Sequence, residues 1–173
     1  DVYKRQVPNV PAGTDLVAVA AFHQQTAELQ RAISVASSEM SQASERIRYM
    51  REALSRTPDA PPSLYGALDG LDATIAEFRL RLQGDPVRGS LSQSSSPSIS
   101  SRAGRAASGW GTRQNPTGTM RDNLEIAEAD FAALEAELAT FLADDVAMIE
   151  RALSAAGAPW TPGRRLGGGG STP

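Results

Sequence analysis

An all-α bundle is the fold class that this 173-residue sequence predicts, and three observations predict it. Apolar residues recur three and four positions apart along three long stretches. Proline falls only outside those stretches, where it breaks helices. Aromatics make up only 5% of a chain that is 40% hydrophobic, much of that alanine, which favours helices packed through small side chains. The expected architecture is an antiparallel bundle of two long helices, one medium helix and one short helix, with a long Ser/Gly-rich loop.

The chain opens DVYKRQ, which reads as the translation of a DNA tag used to fragment sequencing libraries. Residues 1–6 are therefore expected to be a scar, set aside from fold reasoning, and the chain to be a fragment of something longer. Lys4 is the only lysine. Arginine-only basicity with abundant Ala, Gly and Pro fits a GC-rich, bacterial genome. Residues 7–13 (VPNVPAG) form a proline-punctuated linker.

The bundle is expected over residues 14–165. Its first helix, about 14–56, has Thr14 as the expected N-cap and Asp15 in the first turn, where an acid suits the helix dipole. Thr26, Leu29, Ile33, Ala36, Met40, Ala43, Ile47, Met50 and Leu54 make its seam, which Val19 and Phe22 extend. At 1.5 Å per residue it would run on the order of 60 Å, and Thr57-Pro58 stops it. The second helix, about 63–83, has Ser63 as cap and Leu64, Leu68, Leu71, Ile75, Phe78 and Leu82 as seam. Glu77 and Arg81 stand at i,i+4 and can pair on the outer side. Gly84 and Pro86 close this helix.

The last helix, about 119–156, starts from Thr119 in a capping box with Asp122. Its seam runs Met120, Leu124, Ala127, Phe131, Leu134, Leu138, Leu142, Val146, Ile149 and Leu153. The three successive spacings of four from Leu134 to Val146 are a stutter. A strict heptad would have put Asp145 in the core; Leu142 and Val146 are the better candidates. Gly157 is the expected C-cap, with Pro159 beyond it. Residues 84–118 are too long for a structureless loop in a compact domain, so a short helix is expected at about 98–107 with Ser98 as cap, with Ser90–Ser96 mobile. Residues 166–173 are a flexible Gly-rich tail.

Composition bounds the function. A net charge of −3 and a pI near 5.2 argue against nucleic acid, which wants a basic face. No cysteine is present, so neither disulfides nor thiolate chemistry is available. No apolar run of about 18 residues exists, so no membrane span is expected. His23 is the lone histidine, without the partners of a zinc set or a catalytic triad, and reads as a boundary residue beside Phe22. Residues 119–156 hold nine acidic residues against two basic, spread along a helix face rather than paired across a cleft as glycoside hydrolysis requires.

By contrast, Arg88, Arg102, Arg105 and Arg113 stand against Asp85 alone in residues 84–118. The simplest use is a basic loop lying on the acidic helix, and an anion or partner site is the alternative. Trp110 and Trp160 are open to two readings, an interface anchor or a plug closing one end of a small bundle, the plug being favoured for Trp110. The candidate interface residues are thus Trp110, Trp160, Arg102 and Arg105. No catalytic, cofactor-binding or metal-binding residue is predicted, and no cofactor is expected.

Four stretches carry a resemblance: SPSISSR (Ser96–Arg102), the GW at Gly109–Trp110, PTGTMRD (Pro116–Asp122) and above all AAGAPWTPGR (Ala155–Arg164). Together they resemble the C-terminal region of large bacterial proteins with sortilin-like or sialidase-like β-propeller repeats, commonly labelled glycosyl hydrolases. The resemblance spans roughly residues 14–165. It implies a secreted or periplasmic parent whose aspartate-box propeller, with any hydrolytic residues, precedes Val7. This chain would then be a non-catalytic helical module partnered by that propeller. The alternatives are a free-standing module that dimerises or binds another protein, and part of a glycoside hydrolase whose active site lies upstream.

Overall fold

The computed structural model describes residues 15–87, 96–109, 114–159 and 161–162. Among them the only regular secondary structure is helix, with no strand: α1 (Leu16–Ser55), α2 (Ser63–Gln83), α3 (Ile99–Ala106) with a 3₁₀ turn after it, and α4 (Gly118–Thr140), which passes through a π-turn (Phe141–Asp145) into α5 (Val146–Ala155). The expected bundle of helices is present with boundaries within two residues of those read from the sequence. Thr14 and most of Ser90–Ser96 lie outside the described residues. The chain divides into two compact units, Asp1–Ser34 with Leu82–Ala132, and Val35–Arg81 with Ala133–Pro173.

In the first unit α1 starts at Asp15, whose carboxylate accepts from the backbone N–H of Val17 (3.0 Å) and of Ala18 (3.1 Å). Asp15 is therefore a cap rather than a first-turn acid, because its side chain reaches the second and third helical N–H groups. Its own N–H donates to Asn115 Oδ1 at 3.2 Å, which ties the start of α1 to the approach to α4. The start of α4 is likewise earlier than expected. Thr117, not Thr119, caps it, with its hydroxyl accepting from Met120 N at 3.3 Å. α3 matches expectation: Ser98 accepts from Ser101 N at 3.2 Å.

Val19, Phe22, Thr26 and Leu29 of α1, Ile99, Ala103 and Ala106 of α3, and Leu124, Ala127 and Phe131 of α4 are buried in this unit. Ile33 of α1 and Met120 of α4, both expected in the seams, are only half-buried. Thr26 tolerates full burial because its hydroxyl donates back along its own helix to the carbonyls of Phe22 (3.1 Å) and His23 (2.9 Å). Gly84 adopts φ 88° beside Ser98, a left-handed turn that glycine takes without the steric cost of a Cβ.

The second unit is a three-layered seam. Met40, Ala43, Ile47, Met50 and Leu54 of α1 are buried, as are Leu64, Leu68, Leu71, Ile75 and Phe78 of α2 and Leu134, Leu138, Phe141, Val146, Ile149 and Leu153 of α4 and α5. Leu142, expected in the seam, is half-buried: the π-turn gives its place to Phe141, whose ring meets that of Phe78 edge to face with centroids 5.7 Å apart. Here α2 runs antiparallel to α1: Arg51 reaches Asp69 (2.6 Å) and Asp72 (3.0 Å), while Arg79 reaches back to Ser44 Oγ (3.0 Å). α2 is also antiparallel to α4, so α1 and α4 share a direction, as three helices in an up-down-up order must. Pro61 and Pro62 start α2 through their carbonyls, which accept from Leu64 N (3.0 Å) and Tyr65 N (3.2 Å). Ser63 is thereby the first helical residue and not the cap. α5 ends in a Schellman motif: Ala158 N donates to Leu153 O and Gly157 N to Ser154 O, both at 3.0 Å, with Gly157 at φ 76°.

Gly66 and Gly70 lie inside α2, face solvent, and leave open space where a Cβ would stand. Replacing either by alanine is expected to raise the unfolding free energy by about 0.5–1 kcal/mol, chiefly by restricting the unfolded chain. Urea titration of Gly66→Ala and Gly70→Ala checks this; a lower midpoint would mean that these positions are covered.

Candidate functional site

The N-terminal turns of α1 and α4 form the most distinctive surface of the first unit. Residues 16–22 read LVAVAAF, seven apolar residues in succession. A helix that is apolar all round cannot turn every side chain to one core, and here only Val19 and Phe22 are buried. Val17 is 80% exposed and Leu16 52%. Beside them an open groove of about 470 Å³ is floored by Ala18, Ala21, Phe22, Pro116 and Leu124 and rimmed by charged residues of α4, among them Arg121 and Glu125.

The groove's geometry follows from the two caps. Asp15 and Thr117 start their helices side by side, the Asp15–Asn115 hydrogen bond fixes their relative height, and the small residues at positions 18 and 21 leave a trough between them. Asn123, on the first turns of α4, is buried; its amide donates to Thr119 O at 2.7 Å while its Oδ1 meets no protein partner. Such a trough can seat apolar side chains of another surface, at about 25 cal/mol per Å² of apolar area covered. The signal was in the sequence as the unbroken LVAVAAF run, which seam counting reduced to Val19 and Phe22.

The predicted interface residues fall elsewhere. Trp110 and Trp160 lie outside the described residues. Arg102 and Arg105 stand on α3: Arg105 is exposed, and Arg102 is half-buried with its Nε shielded and without a protein partner. Among the described residues the acidic face of α4 and α5 is not met by these arginines. Its ion pairs come from α1 and α2 instead, Arg46 to Glu150 at 2.7 Å and Arg81 to Glu137 at 2.5 and 2.9 Å. Arg88 and Arg113, the other arginines of the basic stretch, lie outside the described residues. Arg81 does not take Glu77 as its ion-pair partner; its guanidinium forms a two-point pair with Glu137 across the α2–α4 contact, which holds both side chains in fixed geometry.

That pair holds the Glu137 carboxyl below its ordinary value of 4.5: the Arg81 hydrogen bond is the largest cause, desolvation opposes it, and the Arg81 charge adds a smaller lowering. A carboxylate whose folded pKa is depressed contributes stability above its unfolded value and loses it as pH falls through the folded one. The Glu137 carboxyl is thus expected to titrate below 4.5 and to return toward 4.5 in Arg81→Met, as carbon-detected NMR titration would show. A midpoint unaffected by Arg81→Met would contradict the pairing.

His23 is half-buried, its ring 6.5 Å from that of Phe22. Among the described residues no group of three or more His, Cys, Asp or Glu is placed to hold a metal ion, and no helix is long and apolar enough to cross a membrane. Compared with family models, curated proteins and solved structures, the chain matches none.

Proposed function

We propose that this chain is a non-catalytic helical module with a structural and interaction role, the C-terminal part of a larger exported protein that carries a sortilin-like or sialidase-like β-propeller. The observation that carries the reading is the exposed apolar start of α1 beside its groove. A helix end with Val17 at 80% and Leu16 at 52% exposure leaves apolar surface whose burial is favourable, and it stands where the chain leaves the Pro-rich stretch of residues 7–13 that would lead back to a propeller. The AAGAPWTPGR motif supports the identity of the parent. In this reading the protein is secreted or periplasmic, the partner of the groove is the upstream propeller, and any hydrolysis belongs to that propeller.

The test is hydrogen exchange at residues 16–22 and at Leu124, measured in this chain alone and in a longer product that includes the upstream coding region. Protection of both segments in the longer product is the expected result. Equal exchange in the two would show that nothing upstream covers this surface.

The same exposed residues favour a second reading, self-association through the α1 starts of two copies. Light scattering across a concentration series separates the two. A monomer at all concentrations removes the second reading, and a dimer dispersed by Val17→Glu establishes it.

A further inference from the structure

Arginines close the helix contacts of the second unit. Arg46 of α1 pairs with Glu150 of α5, Arg51 of α1 with Asp69 of α2, and Arg81 of α2 with Glu137 of α4. In the first unit, the groove between the starts of α1 and α4 carries charges of both signs and lacks such a closure. Arg121, Glu125 and Glu128 of its α4 wall are exposed. Among the described residues they make no ion pair. A face that holds both signs needs no foreign charge to complete it.

The order of the charges decides how it could be completed. Arg121 and Glu128 stand three and a half residues on either side of the midpoint between Leu124 and Glu125. Turning α4 end for end about that midpoint exchanges the two positions. A second α4 laid antiparallel on the first therefore sets Arg121 against Glu128 twice. The α1 wall has the same spacing, with Ala18 and Gln25 flanking the midpoint between Ala21 and Phe22. Ala18 and Ala21 are exposed and small enough to let two α1 helices approach closely. Val17, four residues before Ala21, extends that wall by one turn. A two-fold axis along the helices would instead set α4 on α1, whose wall carries no charge to meet Arg121 or Glu128. An isologous contact asks for complementary groups at exchanged positions, and the antiparallel arrangement supplies them.

We propose that two copies of this chain pair groove to groove about a two-fold axis that crosses α1 and α4 at right angles, with Arg121 of each copy on Glu128 of the other. The pairing rests on the self-association reading given above and uses the face that an upstream propeller would otherwise cover. The four walls form a short antiparallel four-helix core around Phe22 and Leu124. The two Glu125 carboxylates come near the axis and repel each other, an effect that Arg121 of the other copy, within a turn of them, offsets in part. Two turns of each helix fall short of the roughly 800 Å² per partner of a standard stable complex, so the association is weak and depends on concentration.

Sedimentation velocity of this chain from about 10 µM to about 1 mM reads the pairing. The native chain is expected to pass from monomer to dimer over that range. Arg121→Glu and Glu128→Arg each place like charges at both contacts and should each weaken the dimer by about tenfold or more. Mixed in equal amounts, the two variants should associate with each other about as well as the native chain, because each supplies the charge that the other has lost. Glu125→Gln should strengthen the dimer. All three positions are exposed, so the variants should keep the native helical circular dichroism. A native chain that stays monomeric throughout overturns the pairing together with the self-association reading. A dimer that both reversals leave unchanged, or variants whose mixture associates no better than either alone, overturns the pairing and leaves that reading standing.

Discussion

Truncating Leu68 to alanine is expected to lower the unfolding free energy by about 2–5 kcal/mol, while the same change at Leu80 on the same helix costs less than about 0.5 kcal/mol. Both are leucines in the interior of α2, so helix propensity treats them alike and only packing separates them. Leu68 is 0% exposed and sits in the seam between Leu64 and Leu71, whereas Leu80 is 49% exposed. The loss at Leu68 combines the transfer of the missing methyl groups with a cavity that the close-packed helices cannot fully collapse. Since small domains are stable by only about 5–15 kcal/mol, this one substitution removes a large share of the total. Urea denaturation of the two variants checks the contrast. Equal effects would mean that the seam read at period 3.5 is not the core.

Removal of the Glu150 carboxylate is the second large effect. Arg46 and Glu150 are 24% and 11% exposed and 2.7 Å apart, and the Arg46 Nε is shielded without a further partner. The pair joins α1 to α5 in a setting where water compensates little. Glu150→Ala strands the guanidinium and is expected to cost about 2–3 kcal/mol, somewhat below a fully buried pair because Arg46 keeps some contact with solvent. The double variant Arg46→Met with Glu150→Leu removes both charges and supplies apolar volume, and is expected to recover most of that loss. Thermal melts of the single and double variants decide it. A double variant no more stable than Glu150→Ala would show that the ion pair itself, not the stranded charge, carries the energy. The exposed pairs Arg48–Glu45 and Arg56–Glu52 lie on the solvent side of α1 and their removal should be barely detectable.

The fold was legible because each helix carries its own seam and its own stop. Leu64 to Leu82 were read as buried and are, the short helix at Ile99 was inferred from the length of the loop and its Ser98 cap, and Gly157 ends α5 as its position before Pro159 implied. What was not legible were choices between near neighbours. Asp15, read as a first-turn acid, is a cap, and Thr117 displaced Thr119, because capping residues stand close together at a helix start and only backbone geometry selects one. Leu142 and Phe141 are both apolar and adjacent; the Phe78 ring, 63 positions earlier in the chain, settled that choice. Ion pairs were misread for the same reason: Arg81 has Glu77 on its own helix, but the packing of α2 on α4 brings Glu137 within 2.5 Å.

The candidate site was less legible than the fold. Periodicity asks which residues face the core, so the apolar residues that face away, Leu16 and Val17, were passed over. Their meaning lies in what covers them. The measurement that tests the central claim most directly is a long sequencing read of the parent DNA across the codons for Gln6 and Val7. The proposed module predicts a reading frame that continues upstream through repeated aspartate boxes of a propeller to a signal peptide. A start codon just upstream of Val7 with no such repeats would contradict it, and would leave self-association as the use of the exposed end of α1.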